Sequence, residues 1–194
     1  MAITLEKKQK LTLKKENGAK LTKLKAELRW ETPKESHRDF DADASAFILT
    51  KDSSGNKVGL DNTTHFCFYN QTETPAIISS GDNRKGGGDG EDLFIDLTKV
   101  PDQGEFIQII VTIFEATEKG QNLSQISNGT LTLIDTDNDK EIAVVNFEGM
   151  TPADTSMLFV EIYRDGDNWK IENINGGYDY GLEEWLSRYK IDIG

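Results

Sequence analysis

Cysteine, histidine and proline are scarce in this chain, with one, two and four residues respectively among 194. The single cysteine, Cys67 in "HFCFY", excludes an internal disulfide and reads as a small buried apolar residue in a reducing compartment. His37 and His65 stand in no His/carboxylate spacing typical of catalytic metals, and no Ser/His/Asp or Cys/His set is evident. No apolar run approaches membrane-spanning length, and the opening "MAITLEKKQKLTLKK" lacks the apolar centre of a signal peptide. A cytoplasmic protein is therefore expected. The four Asn-x-Ser/Thr sequons at Asn62, Asn70, Asn122 and Asn128 are accordingly read as chance.

Basic charge is also scarce beyond the first thirty residues. Residues 1–30 carry nine Lys/Arg and three Glu, whereas the remainder carries 13 basic and 31 acidic residues, for an overall net charge of −12. An acidic body disfavours nucleic-acid phosphates and favours cations. The basic start reads as the solvated face of a strand: in "LTKLKAELRW", Leu24, Ala26, Leu28 and Trp30 alternate with Lys23, Lys25, Glu27 and Arg29.

What is abundant is strand-like pattern. Short β-rich runs such as "AFILT", "LFIDL", "GTLTLID", "IAVVNF" and "MLFVEIY" are separated by turn clusters such as "KDSSGNK" and "RDGDN". "QIIVTIF" is continuously apolar, as in a strand covered on both faces. Helical signals are few: one short turn in "GQNLSQIS", and "GLEEWLSRY", which places Leu182, Trp185, Leu186 and Tyr189 on one stripe. The expected fold is mainly β: a single domain over residues 1–194, a β-sandwich of about ten short strands with one or two short helices, including a C-terminal helix packed on a sheet.

One segment resists a packing explanation. Gly81–Asp92, "GDNRKGGGDGED", holds four carboxylates, an asparagine and five glycines in twelve residues. Two unit charges about 4 Å apart repel by roughly 1 kcal/mol in water and by more near a protein surface. A phosphate cradle fits poorly, because Gly81-x4-Gly86 continues Gly87-Gly88 rather than Lys-Ser/Thr, and the acids would repel the ligand. Two readings stay open: a solvated turn, or a calcium site. Calcium takes six to eight oxygens at about 2.3–2.6 Å, and Asp82, Asn83, Asp89, Glu91 and Asp92 supply oxygens, while the glycines free backbone carbonyls to turn inward. A second cluster, Asp39, Asp41 and Asp43, alternates in an extended segment and could complete such a site. The acids from Asp135 in "DTDNDKEIAVVN" do not make an EF-hand, because Lys140 replaces the required Gly and Asn146 the bidentate Glu. They read as a hairpin turn.

The ordered motifs "DFDADASAFIL", "FCFYNQ", "SSGDNRKGGGDGED", "FIDLTKVP", "EATEKGQNLSQI" and "VEIYRDGDNWKIENINGGYDYGLEEW" closely resemble the TerD family of tellurium-resistance and stress proteins over residues 20–192. The resemblance implies a cytoplasmic, non-enzymatic β-sandwich that binds calcium, typically as two ions. It further implies action beside other tellurite-resistance proteins, including an integral membrane partner of the TerC type, at the inner membrane face. Family calcium positions fall on Asp41, Asp43, Asp82, Asn83, Asp89, Glu91 and Asp92, with backbone carbonyls around Gly86 and Gly88. The chain departs from the pattern in two places: Glu91-Asp92-Leu93 stands where the family usually has Asp-Asp-Glu, and "RKGGG" replaces a more typical Arg-Thr-Gly-acid-Gly. The alternatives carried beside this reading are a metal-dependent hydrolase, with His37 before "RDFDAD", and a calcium-dependent module binding anionic lipid.

Overall fold

The computed structural model describes residues 2–31, 40–60, 64–80 and 90–193. Its strands form two sheets packed face to face. Sheet A runs in the order β1 (Ile3–Thr4), β11 (Lys140–Asn146), β10 (Ser127–Asp135), β3 (Lys23–Glu31), β8 (Glu91–Asp96), β7 (Ile77–Ser79). Sheet B runs β2 (Lys10–Thr12), β13 (Asn168–Tyr178), β12 (Ser156–Asp165), β9 (Phe106–Ile113), β4 (Ala42–Lys51), β5 (Lys57–Gly59), with β6 (Phe66–Cys67) paired beside β5 on the same edge of β4. The pairings are antiparallel except for β1 with β11. Two α-helices, α1 (Ala116–Lys119) and α2 (Leu182–Arg188), and one 3-10 turn, Leu123–Gln125, where a short turn was expected in "GQNLSQIS", complete the described chain.

The sandwich, its mainly-β content and the terminal helix agree with the sequence pattern. In β3, Leu24, Ala26, Leu28 and Trp30 enter the core between the sheets, while Lys23, Lys25, Glu27 and Arg29 face outward. Every residue of β9 is buried, and the strand divides its side chains between two cores. Ile107, Ile109, Val111 and Ile113 join the main core, whereas Phe106 and Ile110 join a second one on the outer face of sheet B. That second core holds Phe47, Phe66 and Phe68 and is roofed by Trp185, Leu186 and Tyr189 at the C-terminal end of the chain. Phe66 stacks between Phe47 (4.3 Å) and Phe68 (4.5 Å). Beneath the roof, Lys57 pairs with buried Glu161, which also accepts from Gln108, and Gln108 accepts from the Tyr189 hydroxyl. The helix is thus positioned by a satisfied polar chain as well as by apolar burial.

The beginning of the chain joins the two layers. β1 lies in sheet A and β2 in sheet B, linked by a turn in which the Gln9 amide donates to Glu6 O (2.9 Å). Buried Asn173 clasps that turn: its backbone bonds Lys8 and Gln9, and its side-chain amide donates to Leu5 O (2.8 Å). The acids at Asp135 form the β10–β11 hairpin turn, with Asp135 paired to Lys140 and Asp139 in the left-handed region at φ 54°. α1 was not anticipated from the sequence. It is a single turn ended by Gly120 at φ 64°.

Candidate functional site

β4 carries one of the two acidic clusters into sheet B. Phe40, Ala42 and Ala44 enter the main core. By strand alternation Asp41 and Asp43 therefore share the other side. Asp43 is only 6% exposed, pairs across the ladder with Thr112 of β9, and lines a groove on the outer side of the sheet. The Asp41 carbonyl accepts from the Phe114 amide (2.8 Å), which ties the entry into β4 to the end of β9.

The second cluster arrives on β8, in the opposite sheet. Glu91 is 3% exposed and points inward between the layers. Its carboxylate crosses to β4, where Oε2 accepts from the Ala44 amide at 2.5 Å, one residue from Asp43. Two acids 48 residues apart in sequence are thereby brought to one strand end. A charged acceptor taking a backbone amide is a strong, short hydrogen bond, and it holds Glu91 at this place.

Asp92 goes elsewhere. Successive residues of a strand face opposite ways, so it emerges on the outer face of sheet A. There it bonds Arg29 (2.9 Å) and lies 3.7 Å from Lys25. Its amide donates to Ser80 Oγ (3.0 Å), and its carbonyl accepts from the Ser80 amide (2.8 Å), which ties the end of β7 to the start of β8. Gly90 has a purely steric role: a Cβ there would lie 1.7 Å from the Leu28 carbonyl oxygen, so only glycine permits this approach to β3. Of the other expected positions, Asp39, Asp82, Asn83, Gly86, Gly88 and Asp89 lie outside the described residues, as does His37. Among the described residues no group of three or more acids, histidines and cysteines gathers.

The surrounding chemistry suits oxygen donors. Cys67 is fully buried on β6, and burial pushes its thiol up to about 11, with the Glu91 charge adding to the effect. It stays a neutral thiol at physiological pH and offers no thiolate to a soft metal. Carboxylates and carbonyls select hard cations such as calcium, magnesium or manganese. Burying a carboxylate is costly unless it is hydrogen-bonded, paired or bound to metal, and the chain buries both Asp43 and Glu91 at this end of the sandwich. Sequence reasoning did not foresee the groove beside Asp43, because its walls come from α2 and from the β6 and β9 ends, which converge only in the fold.

Comparison with known proteins places these features in a wider group. The TerD domain model matches residues 1–189. Tellurium resistance protein TerD of Serratia marcescens is 34% identical, with 99% of each chain covered. General stress protein 16U of Bacillus subtilis is 33% identical, with all of both chains covered. A solved Streptomyces coelicolor homologue of telluride resistance protein superimposes with a TM-score of 0.68 at 16% identity, covering 85% of this chain and 95% of that one. At that identity the superposition speaks for the fold. Among the described residues, no helix is long and apolar enough to cross a membrane.

Proposed function

From the premise that the chain belongs to the TerD family of tellurium-resistance and stress-response proteins, we propose that it acts by binding calcium rather than by catalysis. The observation that carries this reading is that carboxylates from different sheets are both buried at neighbouring positions of one end of β4, Asp43 on its outer side and Glu91 at the Ala44 amide. Asp41 and Asp43 on the outer side of β4, and Glu91 at the Ala44 amide, would contribute to metal binding only together with the acids and carbonyls of residues 82–89, which would complete a site for two ions. Bound calcium would supply positive charge to a crowded set of anions, which removes their mutual repulsion and stabilises the folded state. Asp92 belongs to the same acidic run, but its contacts are with Arg29 and Lys25. The proposed setting is a complex with other tellurite-resistance proteins, including a TerC-type integral membrane protein, at the inner face of the membrane.

The test is calorimetric titration with calcium beside thermal unfolding in calcium and in chelator. Calcium at 100 times its dissociation constant contributes about 2.7 kcal/mol per site, which raises Tm by roughly 5–10 °C for a chain of this size. Asp43→Asn should abolish or greatly weaken one binding event. A titration without heat, together with identical melting in calcium and chelator, overturns the proposal.

A further inference from the structure

Large apolar side chains that remain exposed are few in the described residues, and they are not scattered. Three of the six, Tyr69, Phe114 and Ile193, line the groove beside Asp43. The groove has a volume of about 700 Å³ and runs between the start of α2 and the chain ends that follow β6 and β9. This is within the roughly 300–1,000 Å³ range of clefts that bind ligands. Its polar lining is one-sided: Asp43, Glu115, Glu183 and Glu184 are present, and no lysine or arginine lines it among the described residues. A smaller hollow of about 240 Å³ shares Glu115 and Gly181 with it and adds Glu118 and Asp179. The acidic surface is therefore continuous.

The chain's own cations show what the rim recognises. Lys119 lies 3.5 Å from the Glu115 carboxylate and 4.9 Å from the centre of the Phe114 ring. Arg188 lies 3.2 Å from Glu184 and 4.5 Å from the centre of the Tyr180 ring. Each pairs a carboxylate with an aromatic face around one cation. Ion pairs and cation–π contacts at exposed positions are each worth roughly 1 kcal/mol or less, so an incoming cation can replace them at little cost. The apolar floor gives an anchoring side chain a place to be buried.

We propose that this groove docks a peptide segment of a partner protein bearing lysine or arginine beside one or two large apolar residues. The acids steer and orient the segment, and Phe114, Tyr69 and the floor supply the contact area. A lipid surface of anionic headgroups is disfavoured by the same lining.

The probe is a fluorescein-labelled twelve-residue peptide alternating Lys and Leu with one central Trp, titrated by anisotropy with and without calcium. Two analogues serve as controls, one with Leu and Trp replaced by Ser, the other with Lys replaced by Glu. Binding should fall about tenfold or more for Phe114→Ala, for the Glu115→Gln/Glu183→Gln pair, and for the Ser analogue on the wild type. The Glu analogue should not bind. A remote pair, Asp102→Asn/Glu148→Gln, should change affinity less than about twofold. Circular dichroism melts check that each variant is folded. Equal losses from the remote and groove pairs, or full affinity in the groove variants, overturn the proposal. So does a concentration-dependent dimer that Phe114→Ala abolishes, since the groove would then be occupied by a second copy. Wild-type protein that binds calcium but not the peptide overturns only the groove, and wild-type protein that binds the peptide but not calcium overturns only the metal reading.

Discussion

Phe47 and Phe94 both sit on outward-facing sides of strands, yet Phe47 is fully buried and Phe94 is 42% exposed. The difference is what covers each sheet. Sheet B is roofed by α2 and the segment after it, so Phe47 stacks on Phe66 and meets the edge of the Tyr189 ring at 5.1 Å. Sheet A keeps its outer face in water, where Lys25, Glu27, Arg29 and Asp92 form an ion-pair network around β3 and β8. One sheet is thus a middle layer and the other an outer one. The comparison teaches where binding chemistry can be placed: the roof of sheet B ends beside Asp43, and the groove opens where that cover stops.

The comparison is broken most directly at Phe47. Phe47→Ala should cost about 3–5 kcal/mol in a denaturant melt, whereas Phe94→Ala should stay within about 0.5 kcal/mol. Equal losses would mean that the second core contributes little. A smaller effect is expected at the link between the layers. Glu91→Gln keeps the shape of the side chain but removes the charge from its bond to the Ala44 amide, and should destabilise the calcium-free protein by about 1–2 kcal/mol. Arg29→Ala, on the exposed network, should cost less than about 1 kcal/mol and lose that effect in high salt.

The smallest effect concerns acid stability. Asp52 accepts from Lys190 beyond α2 and from the Ser54 and Asn56 amides in the β4–β5 turn, and these bonds lower its carboxyl to about 2. A folded value below the unfolded one means that the contribution is present above the ordinary carboxylate range and is lost as pH falls through 2. Wild type and Asp52→Asn should therefore differ in Tm at pH 6, with the gap narrowing between about pH 4 and pH 2.

Much of this contrast could be read from sequence. The alternation in β3 announced one wet face, and the unbroken apolar run of β9 announced a strand covered on both sides. The stripe of Trp185, Leu186 and Tyr189 announced a packed helix. Which sheet it would cover was not legible, because that depends on contacts with residues distant in sequence, such as Tyr189 with Gln108 and Phe47. The acidic run was visible as composition, but its division was less so. Glu91 and Asp92, neighbours grouped in one donor set, lie on opposite faces of β8, one bonded to β4 and the other to Arg29. Gly90, counted among glycines that free carbonyls, is held instead by its contact with Leu28.

The turn clasped by Asn173 has a consequence for synthesis. Ile3 waits for Ala143 and Leu11 for Ile171, so β1 and β2 find their neighbours about 140–160 residues later. At roughly 5–20 residues per second on the ribosome, that is a delay of about ten to thirty seconds. During it the nascent edge of each layer stays open, and the segment holding β1 and β2 zips the two layers shut only once Ile171 has emerged.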